Sequence, residues 1–264
     1  MMSFTLVATL ASLGAIGGFV AGLLGVGGGV LMFPLLYFVP PMMGLEPLDA
    51  KSVAAVVISQ VFFSTMVGGF AHFRSGRVQG RIAIIAGGVS AMGSFVGAVT
   101  TQWTSDRFLL LLFGIVTVLV LLLMFLPAPD NTQDELPAAN ISVPTIPLSV
   151  GSFATGMVIG FLGAGNFIFV PLLIYVLKVP TRIAIGSALL VGLMNSATGF
   201  IGKLVTGQIP LLASAVVIGG AAISALAGER VNRQLPVRIL RRIYAIMVGA
   251  IAIRVWLTIL GFGG

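Results

Sequence analysis

Two glycine-dense interruptions of related sequence, each trailed by a helical amide at a matching place, are the features of this chain whose residue types and spacing could do chemistry. The first interruption reads Gly22-Leu-Leu-Gly-Val-Gly-Gly-Gly-Val-Leu-Met-Phe-Pro34-Leu-Leu, and the second Gly160-Phe-Leu-Gly-Ala-Gly-Asn-Phe-Ile-Phe-Val-Pro171-Leu-Leu. Each breaks an apolar run with glycine and then places a proline. Gly25, Gly27, Gly28 and Gly29 let the chain turn without a Cβ clash and bring its backbone close to a partner. The run from Val30 to Val39 then opens with N–H groups that no preceding turn satisfies. Such groups, together with the helix dipole, favour an anion. Gly163, Gly165 and Asn166 repeat the device with an amide side chain as an added donor. Two such ends brought together would hold a small oxyanion without formal charge. The competing reading is that these glycines only permit close helix packing, as the small-residue stripes Gly14, Gly18, Gly22 and Gly93, Gly97 do.

Behind each break a long helix carries a polar stripe. Ser52 and Ser59 share a face, with Gln60 and Ser64 alongside; in the second half Ser187, Asn195, Thr198 and Gly202 recur at helical spacing. Ser52 answers to Ser187 and Gln60 to Asn195, at the same interval. The hydroxyls and amides offer donors to a polar ligand. Serine and asparagine also bond helix to helix in lipid, so the serines read equally well as structure. Gln60 and Asn195 are the stronger ligand candidates, because an amide leaves more donors and acceptors to satisfy.

The elements that must position these groups are membrane helices. The chain has 264 residues, of which 58% are hydrophobic and 8% charged, and its mean hydropathy is +1.15. Soluble domains carry about 25% charged residues, so this chain cannot cover itself with a water-compatible surface. Apolar runs of spanning or near-spanning length occur at 3–25, 49–71, 82–103, 108–126, 144–163, 183–204, 210–228 and 243–262, with shorter runs at 28–39 and 166–177. The N-terminal run lacks the basic start of a signal peptide and is read as a helix of the mature chain. The formal charge of +7 reflects basic loops of a membrane protein rather than a nucleic-acid surface. Without cysteine there are no disulfides or thiolate metal sites.

Segment 127–147 collects five prolines and three carboxylates without Lys or Arg. It divides the chain into repeats 1–126 and 148–264. Loop 71–81 carries Arg74, Arg77 and Arg81, and loop 229–242 carries Arg230, Arg233, Arg238, Arg241 and Arg242. Both should be cytoplasmic. They sit at non-equivalent places in their halves, so both face inward only if the halves are inverted, which requires an odd number of crossings per half. The expected fold is all-α: two inverted repeats of about five helical segments, each starting with a glycine-broken hairpin. Whether 28–39 and 166–177 span fully or re-enter stays open.

The few charges inside the helices are legible singly. Arg254 lies about 18 Å beyond Arg242 along its helix, a depth at which a charge marks a functional site or snorkels to the outer interface. Lys203, near a helix end, is expected to snorkel. Asp49 and Lys51 open a helix and read as structural. His72, the only histidine, is a candidate for proton coupling or merely an interfacial polar residue.

The glycine motif with Pro34-Leu-Leu, the Ala184-Ile-Gly-Ser187 element opening the long helix, and His72 ahead of Gly76-Arg-Val resemble the sulfite exporter TauE/SafE family, also called the toluene-sulfonate uptake permease family. The resemblance runs along essentially the whole chain. It implies a secondary transporter of small sulfur-containing anions such as sulfite, sulfoacetate and aryl sulfonates, in the bacterial inner membrane. The first half departs from the pattern with Ala50-Lys51-Ser52, and the second glycine motif is shortened to Gly163-Ala-Gly-Asn; both bear on substrate choice.

The leading expectation is thus an alternating-access carrier whose substrate is held by the two breaks, Ser52, Ser187, Gln60 and Asn195, with Arg254 supplying charge. An anion channel of the same fold is the alternative. An enzyme is not expected: no Gly-x-Ser-Gly element accompanies a helical histidine at depth, and one histidine cannot build a metalloprotease site. No cofactor, metal or nucleic acid is expected as a partner, only the anion, the lipid bilayer and, through His72, a proton.

Overall fold

The computed structural model describes residues 3–24, 29–72, 80–125, 143–232 and 237–261. Ten α-helices run through them: α1 (Phe4–Leu24), α2 (Gly29–Met42), α3 (Ala50–His72), α4 (Gly80–Thr100), α5 (Asp106–Phe125), α6 (Thr145–Leu162), α7 (Asn166–Pro171), α8 (Thr181–Val205), α9 (Leu211–Asn232) and α10 (Val237–Ile259). A 3₁₀ turn, Thr101–Trp103, follows α4, and a π-helical stretch, Leu172–Val176, prolongs α7. The described residues contain no strand. The helices fall where the apolar runs place them. Much of 127–147, including Pro127, Pro129 and Pro137, lies outside the described residues.

Among the described residues five helices are both long and apolar enough to cross a membrane, with spans Phe4–Leu23, Ile82–Trp103, Asp106–Leu123, Thr145–Leu162 and Leu211–Gly228. Large apolar side chains point outward: Ile223 is 80% exposed and Ile84 73%. A soluble bundle would turn its polar faces outward there; here the outer face suits lipid tails. Inside, Phe33 of α2 stacks on Phe113 of α5 with ring centroids 4.7 Å apart, in a core shared by α1, α2, α3, α5, α9 and α10 and reached by Leu162 of α6 and Ile168 of α7. A second core joins α4, α6, α7 and α8.

Glycine sets the closest crossings. Gly14 and Gly18 of α1 meet the Val217 and Ala221 carbonyls of α9, while Gly220 and Gly228 of α9 meet those of Ala11 and Phe19. The same arrangement recurs between α4 and α6: Gly93 and Gly97 face the Phe153 and Met157 carbonyls, and Gly156 and Gly160 face those of Ser90 and Ser94. No Cβ fits at these points. With no hydrophobic drive between helices in lipid, such backbone contact is what holds them together. For these stripes, close packing is the correct account. α3 and α8 pack on each other between the two crossings, as do α5 and α10 beside them.

Candidate functional site

The second break is a sharp turn pressed against α3. α6 ends at Gly163, whose backbone is left-handed (φ 69°, ψ −6°) and whose N–H donates to the Ile159 carbonyl at 2.8 Å. This is the usual glycine stop of a helix. A Cβ on Gly163 would collide with the Ala54 carbonyl of α3 and lie 2.8 Å from the Ile58 nitrogen. Gly165, at φ 157°, then redirects the chain into α7. The helical segment from Asn166 passes Pro171 and continues as π-helix to Val176, the register change that a proline without an N–H invites. Asn166 is the first residue of α7; its side chain lies outside the description.

Of the first break, Gly25, Gly27 and Gly28 lie outside the described residues, and Gly29 is the first residue of α2. Gly29 rests on the second break. A Cβ built on it would stand 3.0 Å from the Ala164 Cβ and 3.2 Å from Val61 Cγ2. The start of α2, the α6–α7 turn and the middle of α3 therefore meet at one point. Val61 follows Gln60.

Gln60 and Asn195 are both fully buried, and no protein atom accepts from or donates to any nitrogen or oxygen of either side-chain amide. Each amide has two N–H donors and a carbonyl with two lone pairs. Leaving such a group buried and unmet costs about 1–3 kcal/mol. The neighbouring polar residues behave differently. Ser59 Oγ donates to the Ala55 carbonyl at 2.7 Å, Ser187 is buried and engaged, and Ser52 is half-buried at the start of α3. Single groups are also unmet at Ser152, Ser214 and Trp256, but among the described residues only Gln60 and Asn195 leave a whole amide without partners.

The helices that carry the two amides are fixed around them. Thr65 Oγ1 and Ser196 Oγ lie 3.1 Å apart across α3 and α8, and Phe62 stacks on Phe200 at 5.2 Å. Ile58 reaches Gly199. Contacts that advance along α3 from Ile58 to Thr65 thus retreat along α8 from Gly199 to Ser196. From α4, Ser94 Oγ donates to the Asn195 carbonyl at 2.8 Å and Thr198 Oγ1 to the Ala91 carbonyl at 2.9 Å. The first of these bonds occupies the Asn195 carbonyl and leaves its side chain to something else.

Arg254 is half-buried on α10, its guanidinium 5.5 Å over the Phe38 ring of α2, a cation–π contact. His72 closes α3, and its side chain is outside the description. Lys203 corrects the sequence reading. It does not snorkel: it is fully buried, with Nζ 3.4 Å from Gln208 Oε1, because the ends of α4 and α8 close over it. Nothing local in the sequence marks this, and Ala164 and the Thr65–Ser196 bridge were equally invisible as sequence neighbours.

Comparison with known proteins gives a consistent result. The sequence profile of a family described as "Sulfite exporter TauE/SafE" matches residues 10–255. A "Probable membrane transporter protein" of Xylella fastidiosa (strain 9a5c) is 32% identical over 259 residues, covering 95% of each chain. The "Probable membrane transporter protein YunE" of Bacillus subtilis (strain 168) is 25% identical over 94% of this chain and 96% of its own. A "Probable membrane transporter protein" of Haemophilus influenzae is 22% identical over 96% of this chain and 99% of its own. No solved structure matches the chain.

Proposed function

From the premise that the chain belongs to the sulfite exporter TauE/SafE family, and is a membrane transporter rather than an enzyme, we propose that it carries a small sulfur-containing oxyanion across a bacterial inner membrane by alternating access. The observation that carries this reading is the pair of buried, wholly unmet amides, Gln60 and Asn195. A polar guest with several acceptor oxygens satisfies their N–H groups, and a carrier needs a site that is incomplete without its cargo.

The proposed substrate site lies where Gly29 and the Gly163–Gly165 turn converge on α3. Gly25, Gly27, Gly28 and Asn166 complete it on this reading, with Ser52 and Ser187 as further hydroxyls. Arg254, held against Phe38, adds positive potential, and His72 is the coupling candidate.

The two halves, 1–126 and 148–264 with the 127–147 linker between them, are proposed as inverted repeats. Two facts support this. α3 and its counterpart α8 pass in opposite directions, and the pair α1–α9 has its equivalent in α6–α4. Inverted repeats around a site of broken helices suit rocking of one half on the other.

Counterflow in proteoliposomes tests the mechanism. Labelled sulfite or toluene sulfonate should enter faster when the unlabelled anion is trapped inside. Conductance without exchange would make the protein a channel. If sulfite, sulfate, thiosulfate, sulfoacetate and toluene sulfonate neither shift its melting nor move, the sulfur-oxyanion reading fails.

A further inference from the structure

Lys203 is a buried lysine amine whose partner carries no charge. Its side chain is fully covered, and its hydrogen-bond partner is the neutral Gln208, at a long 3.4 Å. Among the described residues no carboxylate lies within ion-pairing distance of it. A second lysine, Lys51, is tied to the same end of α4. The surroundings are otherwise committed. Gln208 Nε2 donates to the Ala98 carbonyl at 2.9 Å and to Thr206 Oγ1 at 2.6 Å, and Lys51 Nζ donates to the Gln102 carbonyl at 3.0 Å. Two lysine amines are thereby gathered where α3 begins and α4 and α8 end.

This place bears a fixed relation to the amides. Lys203 is eight residues beyond Asn195 on α8, and Lys51 nine before Gln60 on α3, or about 12 and 13 Å at 1.5 Å per residue. Because the two helices pass in opposite directions, both displacements point to the same end of the bundle. That end is opposite the arginine-bearing loop that joins α3 to α4.

Charging a buried amine is unfavourable unless it is paired, and a second lysine at the same end of the bundle makes it more so. A small oxyanion supplies the missing charge and the acceptors at once. We propose that Lys203, together with Lys51 at the same end of α4, forms an anion subsite remote from the arginine loops, where a small oxyanion is taken up before it passes to Gln60 and Asn195. The subsite rests on the carrier reading for its cargo, but binding of an anion to the two lysines does not require transport. The rival account makes Lys203 a neutral-bonded tether between the ends of α4 and α8.

The test uses the full chain in proteoliposomes, with sulfite supplied on the Lys203 side. Lys203→Gln should raise KM about tenfold with little change in kcat, whereas Lys203→Arg, which keeps the charge, should stay within about threefold of wild type. Lys51→Gln, at a half-buried position, should raise KM less. Wild-type KM in Lys203→Gln, or equal damage from Arg and Gln, would establish the tether and end the proposal. If Lys203→Gln does not fold, unchanged KM in Lys51→Gln overturns it as well. Iodide quenching of the exposed Trp103, next to Gln102, separates the two readings. A saturable component that Lys203→Gln abolishes, in a protein that moves no sulfur anion, would keep the subsite and sink the carrier assignment.

Discussion

Gly29, the first residue of α2, lies directly on Ala164, in the turn between α6 and α7. Residues 135 apart in sequence, one from each glycine break, are thus in van der Waals contact beside Val61 of α3. The contact has no room to spare. A methyl at Gly29 must displace the Ala164 Cβ by a few tenths of an ångström, whereas a branched side chain has nowhere to go. We expect Gly29→Ala to reduce transport several-fold and Gly29→Val to abolish it while membrane insertion continues. Uptake assays beside a quantified membrane fraction check this; wild-type uptake in Gly29→Val would detach the breaks from function.

The two amides predict a split between stability and binding. Gln60→Met and Asn195→Leu each replace an unmet buried amide with an apolar group of similar size. Each should leave the ligand-free protein as stable as wild type or more so, by about 1–3 kcal/mol. Each should also erase the melting shift produced by the transported anion. Thermal unfolding with and without sulfite or toluene sulfonate reads both. Loss of stability together with retained binding would mean that the amides bond within the protein.

Much of this was legible in the sequence because membrane helices announce themselves by length and hydropathy, and because duplication repeats a signal. The eight long runs became eight helices, and Gln60 and Asn195 stood out as large amides at equivalent depth. What sequence could not give was pairing between distant elements. Gly14 and Gly18 read as a packing face, yet nothing in them names α9 as the partner. Lys203 looked like an interfacial lysine because its own helix ends two residues later; its burial comes from α4, a hundred residues earlier. Arg254 could be placed at depth but not against Phe38.

The hydroxyl contact between Thr65 and Ser196, 3.1 Å across the α3–α8 crossing, should be measurable but small. Interhelical hydrogen bonds in bilayers average about 0.6 kcal/mol in double-mutant cycles. Both hydroxyls also bond their own helix, Thr65 to the Val61 carbonyl and Ser196 to the Gly192 carbonyl, each at 2.8 Å. A cycle of Thr65→Val and Ser196→Ala in reversible unfolding should therefore give about 0.6 kcal/mol or less. A coupling of several kcal/mol would show that the crossing depends on this contact more than on Phe62, Phe200 and the packed glycines.

Glycines of one helix class should respond in opposite directions to the same substitution. A Cβ at Gly156 of α6 would overlap the Ser90 carbonyl of α4, while one at Gly219 of α9 or Gly249 of α10 meets nothing within 4 Å. Where space is open, alanine restricts the unfolded chain and suits a helix better, which stabilises by about 0.4–1 kcal/mol. Where backbone faces backbone, alanine forces the helices apart and removes the contacts that hold them in lipid. Gly219→Ala and Gly249→Ala should melt at or above the wild-type temperature, and Gly156→Ala well below it. The outcome that would break the argument is a Gly156→Ala protein of full stability, since α4 and α6 would then have to be held together by something other than the approach of their backbones.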